Sequence, residues 1–255
     1  MATPLIVHCH MPKTAGSALN RRVFLPRFAK ARTWLAYGVL IERRRKAAVE
    51  SAPDDVEFIA GHIPFGFAED FGRPVVHVSV LRDPVDRIVS FLNYVAVADR
   101  HGARRKFKED MKALARKDPS RFAEMILGQD HVRIRQSNTM VRLASGMPRL
   151  GKRLPGYWRL GLAMRRLRSP DFIVGTQDNF ESFASHLDQF LNYRRIGAVT
   201  RERAESDDDA DKRFAKVVRK EHLSAQTLNL IREMNALDVK FYDTAVALSD
   251  RKLAA

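Results

Sequence analysis

A lysine set among small residues directly after an apolar run can hold phosphate-like oxygens. Residues 5–20 read LIVHCHMPKTAGSALN. Leu5 to Val7 is the apolar run, and Pro12, Lys13, Thr14, Ala15, Gly16 and Ser17 make a turn. Leu19, Val23 and Phe24 then recur at helical spacing. Strand, small-residue turn and helix together form an oxyanion cradle. Backbone N–H groups point inward, and the helix N-terminus adds partial positive charge. Lys13 adds a full charge, and Gly16 allows close backbone approach. The spacing is not that of a nucleoside-triphosphate loop, GxxxxGK[ST], because the lysine precedes the glycine. The plain alternative is a strand-to-helix turn with a solvated lysine.

Two further positions fit the same chemistry. Val75 to Leu81 is a β-branched run suited to a buried parallel strand. Arg82-Asp83-Pro84 ends it: Asp83 is a good N-cap, and Pro84 fits a first helical position. Val85, Ile88, Val89, Leu92 and Val95 form the apolar stripe of the next helix, with Ser90 two turns along it. Arg82 thus falls at the carboxyl end of a strand, the ligand edge of open α/β sheets. Arginine with a hydroxyl nearby suits a second phosphate. An ion pair of Arg82 with Asp83 or Asp86 is the structural alternative. Finally, Val56–Ala60 reads as a short strand running into Gly61-His62, which puts a histidine on that edge. Histidine titrates near neutrality and can take a proton at pH 7. A loop-supporting role is its alternative.

HMPKTAGS and LRDPVDRIVS, about 70 residues apart, resemble the two cofactor loops of the sulfotransferases. These enzymes transfer a sulfuryl group from 3′-phosphoadenosine 5′-phosphosulfate (PAPS). The branch most resembled contains the heparan and chondroitin sulfotransferases and their bacterial relatives. The resemblance implies a 5′-phosphosulfate loop at Lys13, Thr14, Ala15, Gly16, Ser17 and Ala18. It implies a 3′-phosphate site at Arg82 and Ser90, and a histidine base at His62 within GHIPFGF. NTMVRLASG (138–146), FIVGTQDNFESF (172–183) and LNLIREMNALDVKFYDTA (228–245) are weaker echoes. Within NTMVRLASG the family often reads Gln-Thr-Arg where this chain has Met140-Val141-Arg142, so only Arg142 carries over. The implied fold is α/β, a P-loop-type three-layer arrangement with a central parallel sheet flanked by helices. The implied reaction is sulfuryl transfer to a hydroxyl acceptor, a glycan or glycoconjugate in this branch. Adenosine 3′,5′-bisphosphate is the other product, and no metal is required.

Elsewhere, Arg32–Glu50 reads as a helix with a basic end at Arg43-Arg44-Arg45-Lys46, followed by a turn at 51–55. Residues 103–127 read as one or two helices broken near Asp118-Pro119, and 131–145 as another. Met147–Gly156, with two Pro and two Gly, reads as a loop and a candidate lid. Its Lys152 and Arg153 are placed to meet an acidic acceptor. Asp171–Gly175 reads as a strand, with Asp178 or Asn179 capping a helix that turns Phe180, Phe183, Leu187 and Phe190 inward. Asp207–Asp211 starts a basic helix and lacks the calcium-loop pattern. Leu223–Leu248 reads as a long amphipathic helix, broken once. The whole is read as one domain, 1–255, with a mainly helical insertion at about 103–168.

Composition bounds the partners. The formal charge of +15 calls for anionic partners or a field that guides anions. Nucleic acid is disfavoured, because no helix-turn-helix, RRM or zinc spacing appears. A single cysteine excludes an internal disulfide and suits a reducing, cytoplasmic setting. No apolar stretch approaches the roughly 18 residues of a membrane span. His8 and His10 flank Cys9 with strand spacing, which invites zinc. Cys9 falls on the opposite face and no second cluster follows, so they are read as support for the loop. His77, inside a strand, is read as a satisfied core residue. A P-loop kinase, or a non-catalytic binder of anionic polymers, is the competing class. Thr14 directly after Lys13 is what keeps the kinase reading open.

Overall fold

The computed structural model describes residues 3–36, 55–97, 105–146, 154–194, 196–197 and 217–253. The readings at 37–54, at Lys152 and Arg153, and at Asp207–Asp211 lie outside them. The chain divides into two compact units. One comprises Met1–Arg82, Met140–Ser206 and Lys240–Ala255; the other, Asp83–Thr139 and Asp207–Val239.

The first unit is built on a sheet of β1 (Leu5–Cys9), β2 (Thr33–Leu35), β3 (Phe58–Gly61), β4 (Val75–Leu81) and β5 (Phe172–Thr176). The spatial order is β2-β3-β1-β4-β5, with every pair parallel. Helices flank this sheet, as an α/β P-loop-type fold requires. Side chains alternate between the faces, as the pleat dictates. Ile6, Phe58, Ala60, Val78 and Val80 pack with Leu19, Val23, Phe24, Phe28, Leu187 and Leu191. Leu5, Val7, Cys9 and Ile59 pack with Ala36, Ile63, Phe67 and Ala68. Both layers are apolar because a parallel sheet is covered on both sides.

The chain leaves β1 leftward to β2 and β3, crosses to β4, and leaves β4 rightward to β5. The connections after β1 and β4 therefore diverge at the carboxyl edge, which opens a crevice between these two neighbours. Lys13 follows β1 and Arg82 follows β4 at this switch point, while His62 follows β3, the neighbour of β1.

Helix α1 (Gly16–Leu19) is shorter than the sequence pattern implies. It passes into a π-helical turn, Asn20–Phe24, closed by Leu25 N–H to the Asn20 carbonyl at 2.8 Å. The wider turn lets Leu19, Val23 and Phe24 all reach the core while the Asn20 side chain points at His8. Arg27, 1% exposed at its side chain, anchors the exit of this turn on Asp188 (2.5 Å) and Asn192 (2.9 Å). Residues 33–35, expected to be helical, instead pair with β3 as an edge strand. Thr33 and Trp34 favour extended backbone, and β3 supplies the ladder that overrides the helical pattern.

The second unit is helical. It holds α2 (Pro84–Val97), α3 (Arg105–Lys117), α4 (Pro119–Leu127) and α5 (Asp130–Gln136), with α9 (Ala225–Met234) from the later segment. Val85, Ile88, Leu92, Phe122, Ile126, Ile231 and Met234 form its core. Asp83 accepts the Asp86 N–H at 2.9 Å, which makes it the N-cap expected of it. Asp118 does the same for Arg121 at 3.0 Å, with Pro119 at the first helical position. The single helix expected at 131–145 is two, α5 and α6 (Thr139–Ala144), because Asn138 is left-handed at φ 47°. The Asn138 side chain instead accepts the Leu237 and Asp238 N–H groups, at 2.9 and 3.2 Å. Arg87, fully buried, donates to the Gln136 carbonyl and to Asn235 Oδ1 at 2.6 and 3.1 Å.

The remaining helices are α7 (Gly156–Leu167), α8 (Phe180–Tyr193) and α10 (Ala236–Leu253). The C-terminal helix is broken at Asn235 into α9 and α10. Asn179 occupies the N-cap of α8 without a side-chain bond, and Asp178 instead accepts from Tyr242 Oη at 2.7 Å. The stretch read as an insertion falls in both units: 105–136 in the second, α7 in the first. Among the described residues no helix is long and apolar enough to cross a membrane.

Candidate active site

The β1 turn is held open by an unusual backbone. Lys13 and Ala15 both have φ 67°, a left-handed conformation that non-glycine residues seldom adopt. Such residues alternating with Thr14 turn successive N–H groups toward one side, the geometry of an anion-binding nest. Thr14 is fully buried, and its hydroxyl donates to the Met11 carbonyl at 2.9 Å, which closes the turn from within. Ser17 is exposed, while Lys13, Ala15 and Ala18 are half-buried.

Gly16 has a reason other than open space. A Cβ at this position would lie 2.6 Å from Nε2 and 2.8 Å from Cγ of His10. The room the glycine leaves is taken by the His10 imidazole. That ring stacks on His8, with centroids 5.3 Å apart and planes at 11°, and tilts against His62 at 4.8 Å. His8 in turn hydrogen-bonds Asn20 Oδ1 through Nδ1 at 2.5 Å. The pair read for zinc is thus a packed column between the loop and the core. No group of three or more His, Cys, Asp or Glu able to hold a metal occurs among the described residues.

His62 follows β3 and is exposed, and its Nδ1 lies 2.8 Å from the His10 carbonyl oxygen. A carbonyl can only accept, so Nδ1 carries the proton and the neutral ring keeps its lone pair on Nε2. That tautomer is the one a general base at this edge requires. Gly61 permits the approach of strand β2's end, since a Cβ there would be 2.6 Å from the Ala36 carbonyl oxygen.

Arg82 leaves β4 on the same edge, half-buried, and its Nη1 lies 3.4 Å from the Lys13 carbonyl oxygen. Asp83 and Asp86, the partners in the alternative ion-pair reading of Arg82, sit 3.7 and 3.3 Å from the Lys220 ammonium. Lys13, His62 and Arg82 thus share one sheet edge in one unit. Ser90 is half-buried on α2, in the second unit. Arg142 lies on α6.

Three histidines behind this edge are held neutral. Burial pulls His8 down to about 4, opposed by the Asn20 bond and helped by the neighbouring His62. Burial, then His8, His62 and Lys13, pulls His10 down to about 2. Burial, then Arg166, pulls His77 down to about 4. His77 is a core residue as expected but only half satisfied: its Nε2 accepts the Gly66 N–H at 3.2 Å, while its buried Nδ1 has no hydrogen-bond partner among the described residues. In the unfolded chain each returns to about 6.5. Between pH 6.5 and 4 the unfolded state then binds more protons, so stability falls as pH falls through that window. The denaturant midpoint is expected to drop between pH 7 and pH 4.5. His77→Gln, which keeps an acceptor for Gly66, should give a shallower drop. Equal slopes for the two proteins would remove His77 from this account.

Sequence reasoning did not find Asn20, which carries the His8 contact, nor the His10 carbonyl that orients His62. Both act through tertiary contacts that no spacing records. No family model matches the chain, and no curated protein matches it either. Among solved structures it is similar to mouse sulfotransferase SULT7A1 complexed with PAP, with a TM-score of 0.50 and 11% identity. The match covers 100% of this chain and 90% of that one. At this identity the likeness is one of fold alone.

Proposed function

We propose that this protein is a sulfotransferase that moves a sulfuryl group from PAPS to a hydroxyl of a carbohydrate acceptor. The observation that carries the reading is His62 on the sheet edge of Lys13 and Arg82, its Nδ1–H bound to the His10 carbonyl. The acceptor oxygen forms its bond to sulfur as the bond from sulfur to the 5′-phosphate oxygen breaks. His62 Nε2 takes the acceptor's proton. Lys13 and the N–H groups of residues 13–18 stabilise charge on the leaving phosphate by preorganised electrostatics. Arg82 and Ser90 are assigned to the 3′-phosphate. The glycan acceptor rests on the resemblance of the loops and on the +15 charge, which favours anionic partners. The lone cysteine, buried, fits work in the cytoplasm. The Thr14 hydroxyl, which a kinase would need on its metal, donates to the Met11 carbonyl.

Thermal shift is the test. PAP, the bisphosphate product, binds only the native protein and is expected to raise the melting temperature by mass action. A rise with ATP and none with PAP would reject the sulfotransferase reading.

Arg82 gives a sharper test. Arg82→Ala should weaken PAP by about 1.5–3 kcal/mol, the worth of a charged hydrogen bond. That is roughly 10- to 160-fold in affinity. Binding of 5′-AMP should change far less, and Ser90→Ala should follow the same pattern at smaller size. Calorimetry with both nucleotides decides. Equal losses would mean that Arg82 acts by supporting the Lys13 carbonyl.

A further inference from the structure

His62 begins a loop whose middle is fastened by a group outside the cofactor motifs. Phe65, three residues on, stacks against the His77 ring with centroids 4.0 Å apart and planes at 20°. The Arg166 guanidinium lies over the Phe65 ring, 4.4 Å from its centroid. Phe172 meets the ring edge-on at 5.2 Å. The backbone is fastened as well. Phe65 N–H donates to the Leu143 carbonyl at 3.0 Å, and Gly66 N–H to His77 Nε2 at 3.2 Å.

Arg166 ties this stack to the end of α6. Its Nη1 donates to the Ala144 carbonyl at 3.2 Å, one of the orphan acceptors of a helix end. Gly146, at φ +70°, lies so close that a Cβ would be 2.7 Å from the Phe65 carbonyl oxygen and 2.9 Å from Arg166 Cζ. A half-buried guanidinium is costly to place. Burial lowers its pKa, while Glu69 and Cys9 raise it. A leucine would fill the space without that cost, but only a planar cation both stacks on the ring and donates to the carbonyl.

We propose that Arg166 is a positioning residue for His62: by clamping Phe65 onto His77 it fixes the loop that presents the imidazole. The proposal rests on the sulfotransferase reading only for its effect on turnover. The clamp itself is visible in the free protein through the tautomer of His62. Misplacing a reacting group by about 1 Å costs on the order of 100-fold, so partial release of the loop should cost roughly 10- to 100-fold in turnover.

The test uses the full chain without ligand and the nitrogen–proton correlations of its imidazoles. In the wild type His62 should show Nδ1–H with an unprotonated Nε2. In Arg166→Met it should shift toward a mixture of tautomers, while the His8 pattern and the PAP-induced melting shift stay as they were. Arg166→Lys should resemble Arg166→Met, because an ammonium keeps the charge and loses the stack. Phe65→Leu removes the ring and should act alike if an Arg166 variant does not fold. An unchanged His62 pattern in these variants would overturn the proposal. So would a change shared by His8 and His62 with loss of the PAP shift, since that is general loosening. Absence of sulfuryl transfer by the wild type would remove the function proposed above, and the tautomer comparison would still decide the role of Arg166.

Discussion

His62→Ala is expected to lower turnover by about 10²–10⁴-fold, the usual range for loss of a general base. Affinity for PAP should stay nearly the same. The separation follows from position. His62 is placed after β3 and held through Nδ1 by the His10 carbonyl, and in the proposed function its remaining nitrogen is assigned to the acceptor rather than the nucleotide. The nucleotide is assigned to the turn after β1 and to Arg82. Because the proton leaves the acceptor in the transition state, its loss should appear in kcat more than in KM. His62→Gln is the informative companion: its amide can donate to the His10 carbonyl but cannot take a proton. Calorimetric PAP affinity beside turnover with any working acceptor settles the matter. Near-normal turnover in His62→Ala would leave the residue a loop support.

The same site shows what local sequence could and could not reveal. β4 is legible because Val75–Leu81 is a continuous β-branched run ended by Asp-Pro, and its structural bounds coincide with that run. The break at Asp118-Pro119 is legible for the same local reason, since caps and helix stops act on their own neighbours, whereas the sequence implies the C-terminal break without its place, Asn235. β2 is not legible. Three residues carry too little period to outweigh the helical pattern after them, and only pairing with β3 makes them a strand. The π turn at Asn20–Phe24 is invisible for a similar reason, since its cause is packing against His8 and the core. Within the site, Lys13, His62 and Arg82 could be named from motif and strand end. Gly16 could be named but not explained, because the His10 ring that requires it approaches through space. Arg166 lies about 100 residues from Phe65 and has no motif to mark it.

Lys13 should behave in the opposite way to His62. Lys13→Ala is expected to lower turnover by about 10²–10³-fold, as loss of a preorganised charge at a developing oxyanion does, and to weaken PAP as well. The two effects should go together, because in the proposed reaction the ammonium would face both the charge already on the nucleotide and the charge that grows as the sulfur–oxygen bond breaks. The backbone sharpens the comparison. Lys13 holds φ 67°, and alanine in that conformation carries the same steric cost, so Lys13→Ala removes the charge without relaxing the turn. Lys13→Gly removes the charge and relaxes the backbone. If the charge is what matters, the alanine and glycine variants lose turnover alike, and Lys13→Arg recovers part of the nucleotide affinity. Should glycine lose much more than alanine, the function of Lys13 would be to keep the N–H groups of the turn aligned. The Lys13 carbonyl, 3.4 Å from Arg82 Nη1, would then be the contact through which β4 steadies that alignment.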